Sequence, residues 1–371
     1  MRQAGSETFS EWLDRYSGRL FVMPAVLLIL AFSIFPLIVS AWFALSRFKL
    51  AAGGYDIRFV GLLNFRKLLI GSEQYHFLGT FVPKSTLGWL AIVVVAAFIG
   101  RSAFLYARSG RITVFGLLGR TIAYAVFGSL VWLLASTIGR GGQLGSLGTT
   151  LFYVCCGLAL QFTIGTALAW ICAQKIRGRT FFRVVFFIPL MVTPVGIAYT
   201  FRMLADMTVG PLAPIGQVFG FGAFEWATNQ WSARLVIMLG ESWQWIPFIF
   251  IVMLAAFESQ PRDEVEAAEL DGASTFQIFR DITWPAVAPI AATVALIRMI
   301  EAFKIVDLPN VLTNGGPGIS TESLTLHSFM QWRALDLGAS AAVAYALLFV
   351  STIFCVSFFN FILEPLRRTR Q

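Results

Sequence analysis

A chain of 371 residues that is 57% hydrophobic and only 13% charged, with a mean hydropathy of +0.74, is not a soluble domain, since those carry roughly a quarter charged residues. It reads as an all-α polytopic membrane protein. The net charge of +8 does not call for nucleic acid, because Lys and Arg held in cytoplasmic loops account for it.

In chain order, the first element is a short amphipathic segment over residues 1–19. Phe9, Trp12, Leu13 and Tyr16 recur at helical spacing, and Thr8 with Glu11 offers a capping box before Gly18. A helix lying on the cytoplasmic membrane face fits this pattern, and so does a disordered tail. Eight apolar runs near spanning length follow, at 20–45, 85–106, 114–138, 149–174, 184–206, 234–257, 286–303 and 340–363. The first is too long for a signal peptide and has no small-residue cleavage site after it. Basic clusters at Arg101–Arg120, Lys175–Arg183 and Arg367–Arg370 all fall on one side of an eight-span arrangement. That side is assigned to the cytoplasm, with both termini, in a bacterial-type plasma membrane; Arg47 and Lys49 are the exceptions.

Between the sixth and seventh runs lies "EVEAAELDGASTFQIFRDITWP", Glu264 to Pro285, acidic where the other loops are basic. Val265, Ala267, Ala268 and Leu270 favour one helix, Gly272 permits a left-handed cap, and Phe276, Ile278, Phe279 and Ile282 give a second. Pro261 and Pro285 bracket the pair. A structured helix–Gly–helix loop on the cytoplasmic side is either a docking element for a soluble partner or a solvated, packed connection.

Charges inside apolar runs are costly and mark functional candidates. The sixth run carries Glu241, Gln244, Trp245 and Phe248, with Pro247 expected to open the backbone. The seventh is expected to carry Arg298, Glu301, Lys304 and Asp307 along one side of a single helix, with Arg298 roughly 20 Å beyond Pro285. Two arrangements are compatible with this spacing. One is an ion-pair ladder along the seventh helix; the other is a polar cavity in which Glu241, Gln244 and Trp245 face Arg298 and Glu301. Carboxylates, amides and aromatic faces are what a sugar site requires. Arg298 points either to an anionic group on the substrate or to a carboxylate partner. Four cysteines, all in apolar runs without CxxC spacing, and two histidines far apart in sequence, His76 and His327, give no metal site.

"EAAELDGASTFQIFRDITWP" closely resembles the EAA loop of membrane subunits of ATP-binding-cassette importers. Other blocks, "FVMPAVLLILAFSIFPL", "FVGLLNFRKLL", "RTFFRVVFFIPLMVTPVGIAYTFRML", "ESWQWIPFIFIVMLAAFESQP" and "LTNGGPG" with "STESL", resemble in order the carbohydrate-uptake permeases similar to the larger maltose-permease subunit. The resemblance implies the transmembrane domain of a type I importer, a six-helix core plus an inserted helical hairpin. It implies a first core helix and outer loop over 20–81, the inserted hairpin over 82–148, a core permease domain over 149–363 with a coupling loop at 261–285 and an outer loop at 304–339, and a cytoplasmic tail at 364–371. Glu266, Ala267, Ala268, Asp271, Gly272, Ala273, Phe276, Phe279, Ile282 and Pro285 would form the coupling loop for an ATPase. Glu241, Gln244, Trp245, Phe248, Arg298, Glu301, Ile305 and Tyr199 would line the sugar path, with Thr193 and Val195 nearby. Asn314, Gly315, Gly316 and Pro317 would meet a binding protein. The stretch Phe257-Glu258-Ser259-Gln260 departs from the family's apolar approach to the loop.

The implied partners are a second permease subunit in a heterodimer, two copies of an ATPase subunit, an extracytoplasmic sugar-binding protein, a carbohydrate and membrane lipid. No GxxxxGK(S/T) occurs, so this chain is expected to bind no cofactor, ATP and Mg being used by the ATPase. Two rivals compete with this reading: an ion-coupled secondary transporter of a polar solute, which would require paired inverted repeats, and a membrane-embedded enzyme such as a glycosyl transferase, which would require converging carboxylates.

Overall fold

The computed structural model describes residues 21–51, 53–108, 114–138, 142–174, 178–220 and 225–363. The amphipathic segment at 1–19 and the tail at 364–371 lie outside them.

Helix α1 (Phe21–Ala44) is followed by an antiparallel hairpin, β1 (Ser46–Ala51) and β2 (Gly54–Phe59), and by short helices α2 (Leu63–Ile70) and α3 (Gln74–Leu78). The buried Asn64 amide on α2 donates to the carbonyls of Ala44 and Ser46, both at 2.9 Å, which fixes the exit of α1. Next come α4 (Thr86–Arg108) and α5 (Val114–Thr137). The start of α4 and the end of α5 are tied by a two-residue ladder between β3 (Gly79–Thr80) and β4 (Gln143–Leu144), so the chain enters and leaves this pair at one point. Helix α6 (Ser146–Ala173) leads to α7 (Thr180–Met191) and α8 (Pro194–Ala205). Short α9 (Ala213–Val218) precedes the long α10 (Gln230–Glu258), which starts on the Asn229 side chain accepting from the Trp231 and Ser232 amides. Then follow α11 (Arg262–Leu270), α12 (Thr275–Ala302), α13 (Asp307–Thr313), α14 (Leu324–Arg333) and α15 (Leu337–Leu363).

Among the described residues, seven helices are long and apolar enough to cross a membrane: α1, α4, α5, α6, α10, α12 and α15. The α7–α8 pair supplies the eighth apolar run in broken form. The expected straight span at 184–206 is corrected here, because the two helices meet at 100°. Val192 and Thr193 are extended and Pro194 stands at the first turn of α8, where a missing N–H costs nothing; the Thr193 side chain caps Gly196.

A second correction concerns the seventh run. It is not a short helix starting after Pro285, because α12 is continuous from Thr275. A π-turn over Phe279–Thr283 lets the Trp284 amide reach back to the Phe279 carbonyl. The wider turn accommodates Pro285, whose ring would otherwise crowd the carbonyl four residues earlier. Pro247 likewise lies inside an unbroken α10 rather than opening it.

The core is three apolar clusters strung along the bundle. One joins Ala169 and Cys172 of α6 with Ile249, Phe250 and Met253 of α10 and Val287, Ala291 and Val294 of α12. Gly165 makes that packing possible: a Cβ there would stand 2.9 Å from the Ile249 Cβ and 3.1 Å from the Ile246 carbonyl. Replacing Gly165 by Val is therefore expected to force α6 from α10 and cost about 1–3 kcal/mol. Gly128→Ala on α5, where a Cβ would meet nothing within 4 Å, should leave stability unchanged or slightly higher. Thermal unfolding of the detergent-solubilised variants checks both; equal midpoints for the two would refute this packing.

Candidate functional site

The two ends of the bundle carry different devices. At one end, α11 presents Glu264, Glu266, Glu269 and Asp271 to solvent. Gly272 adopts φ +80°, and its amide donates to the Glu269 carbonyl while Ala273 donates to Ala268, a left-handed stop that only glycine makes without strain. Ser274 and Gln277 then form a capping box that starts α12. Leu270 is 89% and Phe276 66% exposed, leaving an apolar pair beside the carboxylates. Ala267, Asp271 and Pro285 are exposed; Ala268, Ala273 and Ile282 are half-buried. Phe279 is a correction: its ring lies 5.0 Å from Trp170, 6.1 Å from Trp284 and 6.3 Å from Phe257, so it anchors the loop to the bundle rather than facing a partner. Glu258, one of the residues unusual for the resemblance, pairs with Arg183 of α7.

Deep in the bundle, Arg298 of α12 is 1% exposed. Its Nη2 donates to Glu241 Oε1 of α10 at 2.6 Å and its Nε to Gln161 Oε1 of α6 at 2.7 Å, while the guanidinium lies 4.5 Å from the Trp245 ring centre. Gln161 Nε2 continues to Ser242 Oγ at 3.5 Å. A charge this buried is tolerable only with a counter-ion and hydrogen bonds; Nε and Nη2 have them, while the buried Nη1 has no hydrogen-bond partner among the described residues. The expected ladder along one helix does not form: α12 ends at Ala302, Lys304 pairs with Glu301 at 2.8 Å, and Asp307 opens α13.

Beside this pair is a cleft of about 250 Å³ bordered by Glu241, Gln244, Trp245, Glu301, Lys304 and Asp307, with Ile305 and Pro194 among its walls. Glu241, Gln244, Trp245, Glu301 and Ile305 are thus brought together from the expected set. Arg298 lies behind the wall, its charge taken by Glu241. Phe248 packs edge-on to Trp245 at 6.1 Å and against the apolar cluster, not on the cleft. Tyr199, 57% exposed on α8, also lies outside its lining, as do Thr193 and Val195. Sequence reasoning missed Gln161, whose signal was a lone amide within "LALQFTIG", and Arg234. The latter is buried, donates to the Ser320 carbonyl at 2.7 Å and stacks 4.8 Å from Trp231.

Arg234 thereby holds the glycine loop at the other end of the bundle. Asn314 (φ +49°) and Gly315 (φ +89°) turn the chain after α13. Asn314 and Gly318 are exposed and Gly316 and Pro317 half-buried, whereas Gly315 is buried and serves the turn, a correction to its expected contact role. Thr313 and Thr321 bond across the loop at 2.6 Å, and Ser323 Oγ donates to the Ile305 carbonyl at 2.6 Å. The two histidines, distant in sequence, meet here with ring centres 5.7 Å apart. Glu322 accepts from His76 Nδ1 at 3.1 Å and stands 3.6 Å from His327 Nδ1, while Glu73 stands 3.7 Å from His327 Nε2. Glu322 holds the His76 pKa above its ordinary value, and the facing His327 ring holds the Glu73 carboxyl below its own. No group of three or more metal-ligating side chains with metal-holding geometry occurs among the described residues.

A family model described as "Binding-protein-dependent transport system inner membrane component" matches residues 165–369. The trehalose/maltose transport system permease protein MalF of Thermococcus litoralis is 30% identical over 187 residues, 50% of this chain; the match spans 63% of that relative, less than two thirds of its length. A probable ABC transporter permease protein, y4oQ of Sinorhizobium fredii, is 25% identical over 326 residues, covering 88% of this chain and 83% of its own. Among solved structures, a bacterial ABC transporter involved in the import of the acidic polysaccharide alginate aligns with a TM-score of 0.54 over 75% of this chain and 99% of the matched one, at 18% identity. That likeness is one of fold.

Removing one member of the buried pair should cost far more than removing both. Glu241→Gln is expected to destabilise by about 3–5 kcal/mol, and the Glu241→Gln/Arg298→Gln double variant to recover most of that loss. Denaturant unfolding in detergent measures both; additive losses would contradict the pairing. At the glycine loop, a raised His76 pKa means its pairing stabilises fully below the ordinary histidine value near 6.5 and fades as pH rises through the raised value. The lowered Glu73 pKa acts oppositely, stabilising above the ordinary carboxyl range and fading as pH falls through its lowered value. The Tm difference between the chain and His76→Gln should be largest near about pH 6 and shrink above neutrality. A difference constant from about pH 6 to 9 would contradict the His76–Glu322 pairing.

Proposed function

The chain belongs to the binding-protein-dependent transport system inner-membrane components, and from that premise we propose that it forms one half of the translocation path of an ATP-driven carbohydrate importer. It is a multi-pass inner-membrane transport subunit, not an enzyme. The observation that carries the substrate reading is the cleft beside the buried pair, where three carboxylates, an amide, an ammonium and an indole border about 250 Å³. Carboxylates and amides suit sugar hydroxyls, and the indole suits the C–H face of a pyranose. Arg298 is bound to Glu241 and Lys304 to Glu301, so neither cation is free for an anionic substrate, and Asp307 adds a further negative charge to the lining. That balance favours a neutral sugar over an anionic one. The names of several relatives, trehalose/maltose and arabinooligosaccharide permeases among them, support the same class.

In this reading a second permease subunit supplies the facing half, an extracytoplasmic sugar-binding protein meets the glycine loop around Asn314 and Pro317, and two ATPase copies dock on the acidic loops from the cytoplasm. Exposed Leu270 and Phe276, ringed by Glu266, Glu269 and Asp271, suit a cleft with apolar walls and basic edges. Closure of the ATPases on ATP draws the loops together and rocks the helices about the site, switching its access.

Gly272→Pro tests the docking. Proline cannot adopt φ +80° and removes the amide that closes α11 on Glu269. The expected result is at least a tenfold loss of sugar-stimulated ATPase activity and of uptake into vesicles, with sugar-site stability retained. Uptake and ATPase association at normal levels would refute it.

A further inference from the structure

The pair α4–α5 has no role in the path described, yet it builds a second cleft. At the acidic-loop end of the bundle, the tip of this pair and the end of α15 enclose about 510 Å³ between Phe98, Arg101, Leu105, Tyr106, Arg120 and Phe361. Two contacts establish which end this is. Helix α15 starts beside Ser328 of α14 near the glycine loop, and Arg120 lies 5.2 Å from the Phe361 ring at its far end. Ser102 and Tyr124 bond across the pair at 2.7 Å, which sets the separation of α4 and α5 beneath the tip.

We propose that this cleft binds an anionic phospholipid, its phosphate held by Arg101 and Arg120 and its acyl chains lying over Phe98, Leu105 and Phe361. Charge is the first ground. Residues 82–148 contain Lys84, Arg101, Arg108, Arg111, Arg120 and Arg140 but no acid, and no Asp or Glu occurs anywhere between Glu73 and Asp206. No carboxylate lines the cleft among the described residues. Depth is the second. Arg101 precedes the end of α4 by seven residues and Arg120 follows the start of α5 by six. Both Cα atoms therefore sit about 10 Å from the tip, a depth from which an arginine side chain reaches the headgroup level by snorkelling. Geometry is the third. The Arg120 guanidinium lies 4.2 Å from the Tyr106 ring centre, between that ring and Phe361. Stacking fixes its plane and leaves its N–H edge for phosphate oxygens, which a guanidinium binds in bidentate fashion. Phe98, Leu105 and Phe361 are exposed at the rim, open to acyl chains. Basic pockets between helices at a membrane face bind such headgroups. This inference needs the membrane location of the chain but not the carbohydrate reading.

The test is native mass spectrometry of the chain purified in its own assembly and reconstituted in nanodiscs containing phosphatidylglycerol and phosphatidylcholine with identical acyl chains. Retention of phosphatidylglycerol over phosphatidylcholine is expected. Arg101→Gln and Arg120→Gln should each lower that preference about fivefold, and Arg58→Gln, on the hairpin at the other end, should leave it unchanged. Arg101 is exposed, so its variant keeps the fold even if Arg120→Gln loosens the tip. Equal retention of both lipids, a double variant that still prefers phosphatidylglycerol, or displacement of the lipid by millimolar inorganic phosphate would overturn the proposal.

Discussion

A guanidinium buried among apolar helices constrains everything around it. Arg298 can remain charged inside the bundle only because Glu241 and Gln161, on two other helices, reach it at 2.6 and 2.7 Å and Trp245 covers its face. That single requirement fixes α6, α10 and α12 at one level and in one rotation about their axes. The close approach at Gly165 lets α6 and α10 come near enough for Gln161 to serve. The cleft beside the pair inherits this order, since Glu241 and Trp245 belong to both the network and the wall. Exchange of a solute thus takes place against a wall in which Glu241 and Glu301 each already hold a cation.

The helix that carries Arg298 also begins the acidic loop. From Thr275 to Ala302 the chain is one helix, and the π-turn at Phe279–Thr283 lets it run past Pro285 without a break. Phe279 clamps its lower end against Trp170 and Phe257, and Arg298 ties its upper end to α6 and α10. A force applied at Phe276 reaches the cleft through this lever, over roughly 33 Å of helix. The proposed docking loop and the proposed sugar site are therefore two ends of one rigid element.

Much of this was legible in the sequence because its signals are local. Apolar runs of spanning length, the Gly272 stop and charges set within apolar segments each depend on neighbouring residues. The remainder depends on distant contacts. Gln161 looked like an ordinary polar residue until Arg298, 137 positions away, came to lie beside it. His76 and His327 looked solitary, yet a Glu322 contact spanning 246 positions brings them together. Phe279 has the same helical spacing as Phe276, and only the packing of Trp170 and Phe257 shows that one faces inward and the other outward. The 100° break at Val192–Thr193 was written as two nearby prolines in an apolar run, a pattern that a hydropathy window averages away. Arg298 illustrates the limit on charge reasoning: its position was evident, but only the folded arrangement of α10 and α12 brings Glu241 to 2.6 Å from it.

The rigidity of α12 is the claim on which the account turns. Spin labels at Gln277 and Ile300, both exposed positions on that helix, should stand about 35 Å apart. Pulsed dipolar spectroscopy on the assembled transporter should return one narrow distance that stays the same with and without ATP. A distribution that shortens or splits on adding nucleotide would show that α12 bends at the π-turn, and would contradict transmission from the acidic loop to the Arg298 level through a single helix.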